Sequence, residues 1–152
     1  MIPENIIEFF KKQTFTHVGT RDNKLRPREV MAWGMKADND KQTLTVYIPQ
    51  AVIEKTLSNL QSNGKIAVTS VEPFSHESYQ FKGNYISHSP STDAETVFQE
   101  NYIPGYNKYY NAVGAPAGYL SRLIYKPSTA VTFSIEEIYS QTPGPNAGKK
   151  II

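Results

Sequence analysis

The sequence predicts a mainly β domain of the α+β class, a six-stranded β-barrel with peripheral helices. Six segments alternate apolar and polar side chains with a period of two, which is typical of strands that bury one face. One of them, "REVMAWGMK" (28–36), is apolar on both faces, and this pattern indicates burial on two sides, as in a barrel that is covered from outside. Helical patterns between these segments place the helices around the barrel.

The chain begins with a predicted helix over 3–12, because proline suits the first helical position and the next apolar residues share one face. The helix-initiating proline and the apolar residues of that face are Pro3, Ile6, Ile7 and Phe10. The turn-forming stretches "RDNKLRP" and "ADNDKQ" then separate three predicted strands. These strands cover 15–20, 28–36 and 43–48.

A second helix follows the third strand, with Gly64 at its C-terminal end. Its buried stripe is Ile53, Leu57 and Leu60. The next two strands are "KIAVTSV" and "SYQFKGNYIS", and Thr92 lies three residues before Glu95 in the capping-box pattern of a third helix. We predict a tyrosine-rich loop over 102–126, a last strand "AVTFSIEEIY" and an irregular tail "SQTPGPNAGKKII".

Length, charge and cysteine content restrict the class of protein. A chain of 152 residues is the size of one domain, so we predict a single domain over 1–152. The net charge of +2 and the lack of charge runs argue against nucleic acid as a partner. No apolar run suggests a membrane segment, and "MIPENIIEFFKKQ" does not resemble a signal peptide, so we expect a cytoplasmic protein. The absence of cysteine excludes disulfides, thiolate metal sites and cysteine nucleophiles.

Lys55 and Thr56 lie close to the start of the second predicted helix. A helix start carries unpaired N–H groups and a partial positive charge, so it attracts anions. An ammonium group and a hydroxyl at that place favour a phosphate monoester. The alternative is an ordinary pair of surface residues, and the neighbouring Glu54 favours that alternative.

The order and spacing of several short patterns resemble those of the pyridoxamine-phosphate-oxidase-like family of FMN-binding split barrels. In this chain the patterns are a turn and Pro27 before the strand "VMAW", a strand end "YIP" before the helix with Lys55, then "NGKIAVT" and "YQFKG". The match covers most of residues 15–90, and "QTPGPNAGKK" resembles the tail of one branch of the family. The resemblance implies a split barrel and FMN as the cofactor.

The resemblance also implies three groups of flavin contacts. Lys55 and Thr56 match the positions that hold the FMN phosphate. The strand along which the flavin lies, mostly through backbone groups, matches Val30, Met31, Ala32 and Trp33. Ile48 and Pro49 match the segment beside the isoalloxazine ring, and Gln80 matches a strand glutamine that reaches the flavin in the oxidases. Members are usually homodimers with the flavin at the interface, so a second chain would complete each site.

The chain also departs from the pyridoxamine-phosphate oxidases. They carry two consecutive basic residues where this chain has Lys55 and Thr56, and they end in an Arg-Leu-x-Pro segment where this chain ends "GKKII". We therefore do not expect oxidation of vitamin B6. The resemblance supports the flavin site better than it supports the substrate of the oxidases.

Other candidate residues keep two interpretations. Trp33 either packs in a core or lines the flavin, and Arg28 either assists the phosphate or is solvated. The three histidines, His17, His76 and His88, show no metal-ligand spacing, although one of them could bind haem. The tyrosines of 102–125 either cover the flavin or close one side of the barrel, and "TPGPNAG" either folds onto the site or frays.

The resemblance thus implies a homodimeric FMN flavoprotein. In the enzyme form, a donor such as NAD(P)H reduces the flavin, which passes electrons to an acceptor. In the alternative form, the protein is an electron carrier or a flavin store without a substrate. A third alternative is a haem- or deazaflavin-binding split barrel.

Overall fold

The computed structural model describes residues 1–152 as seven strands and four α-helices. The strands are β1 (Phe15–Arg21), β2 (Pro27–Ala32), β3 (Met35–Ala37), β4 (Thr43–Pro49), β5 (Lys65–Val71), β6 (Ser78–Pro90) and β7 (Ser128–Ser140). The helices are α1 (Glu4–Phe9), α2 (Ile53–Asn63), α3 (Asp93–Glu100) and α4 (Ile103–Ala112). Two short 3-10 helices span Gln50–Val52 and Leu120–Arg122. None of the helices is long and apolar enough to cross a membrane.

The strands form one antiparallel sheet in the order β2-β1-β5-β6-β7-β4-β3. The two outer strands of this order, β2 and β3, belong to one segment of chain that bends at Trp33 and Gly34. At the bend, the Trp33 amide donates to the Tyr47 carbonyl at 2.8 Å, and the Tyr47 amide donates to the Gly34 carbonyl at 3.2 Å. The bent segment therefore pairs first with β1 and then with β4, and it closes the sheet into a barrel.

The bend divides the strand that the sequence predicts over 28–36. Gly34 has φ +92°, a backbone conformation that residues other than glycine rarely adopt. A Cβ atom at Gly34 would also lie 2.9 Å from the ring of Tyr102, so a larger residue does not fit without movement. When the bent segment is counted once, the barrel has the six predicted strands, and the predicted fold class is confirmed.

Two separate hydrophobic cores lie on the two sides of the barrel wall. Inward-facing residues such as Val18, Val46 and Phe133 fill the barrel, and α1 and α2 contribute to the same core. The second core lies outside the wall, beneath α4. Its buried members are Phe15, Trp33, Tyr102, Tyr106 and Leu120. Burial on both sides explains why every residue of β4 after Thr43 is buried, and why β2 ends in the apolar run Val30, Met31 and Ala32.

The prediction of a loop over 102–126 is wrong for its first half, which forms α4. Pro104 and Gly105 make this segment a poor helix by propensity. Packing outweighs propensity, because the Tyr106 ring stacks on Phe15 with centroids 4.6 Å apart and its hydroxyl donates to the Thr14 carbonyl at 2.9 Å. The glycine is required there, since a Cβ atom on Gly105 would lie 1.9 Å from the Gln13 side chain.

The other differences lie at the ends of elements. α1 ends at Phe9 rather than at residue 12, and β6 and β7 extend beyond the predicted segments because each supplies hydrogen bonds to the other. The segment 141–152 is irregular, as predicted, but it folds back along β7. The Ile151 amide donates to the Ile138 carbonyl at 2.7 Å, and the Gln141 amide donates to the Ser78 carbonyl at 2.8 Å.

Candidate functional site

A polar groove of about 470 Å³ lies between the start of β2 and the start of α2. Its walls are Asp22, Arg26, Pro27, Arg28, Glu29, Lys55 and Asn59. We call it the cationic groove, because three cations, Arg26, Arg28 and Lys55, outnumber the two carboxylates, Asp22 and Glu29. Asp22 Oδ2 accepts from Arg26 Nε at 2.7 Å, and Glu29 Oε1 lies 2.5 Å from Nδ1 of His17. Arg28 and Lys55 form no ion pair.

Asp22 forms its hydrogen bonds within its own turn and does not pair with Arg28 or Lys55. The backbone amides of Arg26 and Lys24 donate to its Oδ1 at 3.0 and 2.8 Å. The amide of Arg26 has the largest effect in lowering the pKa of Asp22, so the carboxylate is ionised and already satisfied. Arg26 is thereby neutralised, and the positive charge of the groove comes from Arg28 and Lys55.

Arg28 extends from β2 toward α2. The residue lies opposite Thr20 of β1, and its Nη2 donates to the Val52 carbonyl at 3.4 Å. Its Nε is buried and has no hydrogen-bond partner in the protein. A buried donor without a partner is uncommon in native proteins, so Arg28 is an unusual residue of this groove.

The start of α2 adds a second feature that favours an anion. Val52 is the N-cap residue of α2, and its side chain forms no capping hydrogen bond. Helix starts without a capping side chain leave backbone donors and a positive dipole end available. The Lys55 side chain is exposed beside this helix start, and Glu54 lines a neighbouring groove of about 400 Å³ together with Arg28 and Lys55.

Thr56 lies beneath the groove rather than on its wall. The residue is 1% exposed, and its hydroxyl oxygen is buried without a hydrogen-bond partner. Asn59 lies one turn farther along the helix and donates from Nδ2 to Oγ1 of Thr20 at 3.1 Å, which ties α2 to β1. The structure thus brings Lys55 and Arg28 together, and places Thr56 at the contact between the helix and the barrel.

β2 leads away from the cationic groove with one edge unpaired, because it is the outer strand of the sheet order. Its backbone donors and acceptors on that edge are available to a ligand. Alternate residues of a strand face the same way, so Pro27, Glu29 and Met31 lie on one face over about 13 Å. Pro27 and Glu29 line the groove, and Met31 reaches a second cavity.

This second cavity, the aromatic cavity, has a volume of about 490 Å³. Its apolar lining includes Phe15, Met31, Val71, Tyr109 and Tyr110. Its polar lining is His17, His76, Ser78 and Gln141. Two of the three histidines therefore face one cavity, and the segment after β7 contributes to its wall. A cavity of this size with aromatic walls and a few polar groups suits a planar organic ligand.

Most of the other residues that the resemblance implies are buried in the protein. Val30, Ala32 and Ile48 face the barrel core, and Pro49 is buried at the end of β4. Trp33 belongs to the second core, where it stacks on Tyr125 with centroids 4.7 Å apart. Gln80 donates to Thr69 Oγ1 at 3.3 Å on the outside of β6. None of these side chains lines the cationic groove or the aromatic cavity.

The comparison with known proteins identifies the fold. HupZ of Group A Streptococcus is 20% identical, with a TM-score of 0.58 over 97% of this chain and 100% of that chain. A provisionally assigned pyridoxamine 5'-phosphate oxidase from Lactobacillus delbrueckii is 16% identical, with a TM-score of 0.56 over 91% and 93%. An F420 reductase is 12% identical, with a TM-score of 0.56 over 90% and 98%. No family model and no curated protein matches the chain.

The chain therefore has the split-barrel fold of the pyridoxamine-phosphate-oxidase-like proteins. The fold that the sequence resemblance implies is confirmed.

Sequence reasoning left the role of Arg28 open and did not connect His17 or Asn59 with the site. The sequence does contain a feature that indicates a special role for Arg28. Alternation along β2 places Arg28 on the same face as Val30 and Ala32, whose side chains point into the barrel. An arginine on an inward face is rare unless it has a partner. No comparable signal marks His17, which reaches the aromatic cavity only through the pairing of β1 with β2.

Proposed function

We propose that the protein binds FMN and acts as an oxidoreductase. The observation that carries this proposal is the cationic groove, where Arg28 and Lys55 lie without acidic partners beside an uncapped helix start. The Arg28 guanidinium and the Lys55 ammonium, which form no ion pair, support a phosphate group as the ligand of the groove. In this proposal the phosphate group lies in the cationic groove, and the planar ring system lies in the aromatic cavity. The linker between them follows the free edge of β2.

The residues of the chain would bind and orient the cofactor. Arg28 and Lys55 would hold the phosphate, the backbone of β2 would line the flavin, and the cavity at Met31 would take the ring. Bound FMN would supply hydride and electron transfer, and a nicotinamide such as NAD(P)H is the donor that we propose. The departures from the oxidase pattern give no support to vitamin B6 as a substrate.

The protein could also carry or store FMN without turnover, and a steady-state assay distinguishes this function from an oxidoreductase. Continuous oxidation of NAD(P)H in the presence of an acceptor identifies the enzyme, and a single equivalent of oxidation identifies the carrier. The neighbour named F420 reductase keeps a deazaflavin among the alternatives. Haem is a further alternative, which is favoured by the two histidines, His17 and His76, that line one cavity.

We further propose a homodimer with the flavin at the interface. The open groove, the unpaired edge of β2 and the aromatic cavity all lie at the surface of the single chain. A second chain that covers them would exclude water from the cofactor.

The first experiment is the absorption spectrum of the purified protein, followed by titration with FMN. Saturation at one FMN per chain supports the proposal. No binding of FMN would refute it, and a Soret band in the protein as purified would identify haem instead.

Lys55→Ala tests the phosphate contact directly. We expect the affinity for FMN to fall about 10-fold, because one charge-assisted hydrogen bond is lost. The affinity for riboflavin, which lacks the phosphate, should not change. Fluorescence titrations of both ligands measure the ratio, and Lys11→Ala, in the segment after α1, is the control for loss of an exposed lysine. Equal losses for the two ligands would show that Lys55 does not bind the phosphate.

A further inference from the structure

The pair of His17 and Glu29 spans the boundary between the cationic groove and the aromatic cavity. Glu29 lines the groove, His17 lines the cavity, and Oε1 of Glu29 lies 2.5 Å from Nδ1 of His17. The two residues lie on adjacent strands, and His17 is directly opposite Met31 in the pairing of β1 with β2. His17 is therefore the polar side chain of the cavity that lies next to the strand proposed to carry the flavin.

The contact with Glu29 determines which nitrogen of His17 is available. A carboxylate can only accept, so it holds the hydrogen of the neutral imidazole on Nδ1. Nε2 then carries a lone pair, and no protein group bonds to it. Nε2 is thus an acceptor at the wall of an aromatic cavity, and it fits the N–H group at the edge of a planar heterocycle.

We propose that His17 is a ligand-binding residue whose Nε2 accepts a hydrogen bond from the N3–H group of the flavin ring, and that Glu29 is its positioning residue. This inference rests on the proposed function, since it assigns the ring to the aromatic cavity. It adds a contact that distinguishes flavins with a free N–H edge from flavins that are alkylated there.

A cycle of two ligands and two proteins tests the contact. Riboflavin and 3-methylriboflavin differ only at N3, and neither carries a phosphate. For the unmodified protein we expect riboflavin to bind roughly 3- to 10-fold more tightly, which corresponds to one hydrogen bond. For His17→Leu, which has no acceptor atom, we expect the two ligands to bind within about 2-fold of each other. An undiminished preference for riboflavin in His17→Leu would overturn the inference.

Two further variants separate His17 from its surroundings. His76→Leu removes the acceptor of the other histidine of the cavity and should keep the preference for riboflavin. Loss of the preference there instead would assign the contact to His76 and overturn the inference. Glu29→Gln removes the carboxylate that holds the tautomer, so the preference should fall while the melting temperature is unchanged. An unchanged preference in Glu29→Gln would show that Glu29 does not position the imidazole.

The outcomes also separate this inference from the proposed function. Absence of FMN binding by the unmodified protein refutes the proposed function itself. FMN binding that responds to Lys55→Ala, combined with equal affinities of the unmodified protein for the two riboflavins, refutes only the role of His17.

Discussion

Glu95 connects α3 to the barrel through several hydrogen bonds. Its Oε2 accepts from the Thr92 amide at 2.9 Å, its Oε1 accepts from the Tyr47 hydroxyl at 3.2 Å, and Lys36 Nζ lies 3.6 Å away. Burial alone would raise the pKa of Glu95, but the hydrogen bonds from Thr92 and the charge of Lys36 outweigh it, and the pKa is lowered. The ionised form is thus the one that stabilises the fold.

A lowered pKa makes the stability depend on pH in a defined direction. The contribution of Glu95 is complete above its ordinary pKa of 4.5 and is lost as the pH falls through the lower value in the folded protein. Glu95→Gln should therefore be less stable at pH 7 and lose less stability between pH 5 and pH 3 than the unmodified protein. Urea denaturation at several pH values measures both curves. Glu8→Gln on the exposed side of α1 is the control, and parallel curves for Glu95→Gln and the unmodified protein would refute this role.

At the scale of single residues, the sequence predicts the capping box but not the cationic groove. Thr92 and Glu95 are three positions apart, so a local pattern is sufficient to find their contact, and the structure confirms it. Arg28 and Lys55 lie on different elements, and only the way in which α2 covers the end of the barrel brings them together. A pattern along the chain cannot show that contact.

At the scale of elements, the bend between β2 and β3 depends on Gly34. Gly34→Ala should lower the free energy of unfolding by about 2–4 kcal/mol, because the new methyl group meets the Tyr102 ring and the backbone is strained at positive φ. Gly114 also has positive φ but open space around it, so Gly114→Ala should cost only about 1–2 kcal/mol. Chemical denaturation of both variants measures the difference, and equal costs would show that the ring contact is unimportant.

The same elements show where prediction from sequence fails. Periodicity along the chain predicts the strands well, because alternation is a local property of a half-buried strand. α4 escapes prediction because its stability comes from the contacts of Tyr106 with Phe15 and Thr14, residues about ninety positions earlier. Local propensity argues against this helix, and tertiary packing decides in its favour.

At the scale of the whole molecule, the proposed dimer gives the clearest expectation. Light scattering should yield twice the chain mass of 17.1 kDa, and FMN should shift the dissociation of the dimer to lower protein concentration. This shift should be smaller for Lys55→Ala, which binds FMN less tightly. A monomer that binds one FMN at every concentration would refute the interface site while leaving FMN binding intact.

The position of β7 between β6 and β4 has a consequence for the synthesis of the chain. β4 is synthesised early, but one of its edges pairs with β7, the last strand of the chain. That edge therefore stays unpaired until most of the protein has been translated. Every residue of β4 after Thr43 is buried in the finished barrel, which makes the waiting strand a template for pairing with other unfinished chains. Slower translation prolongs that wait, and chaperones that bind extended apolar segments would act at this strand.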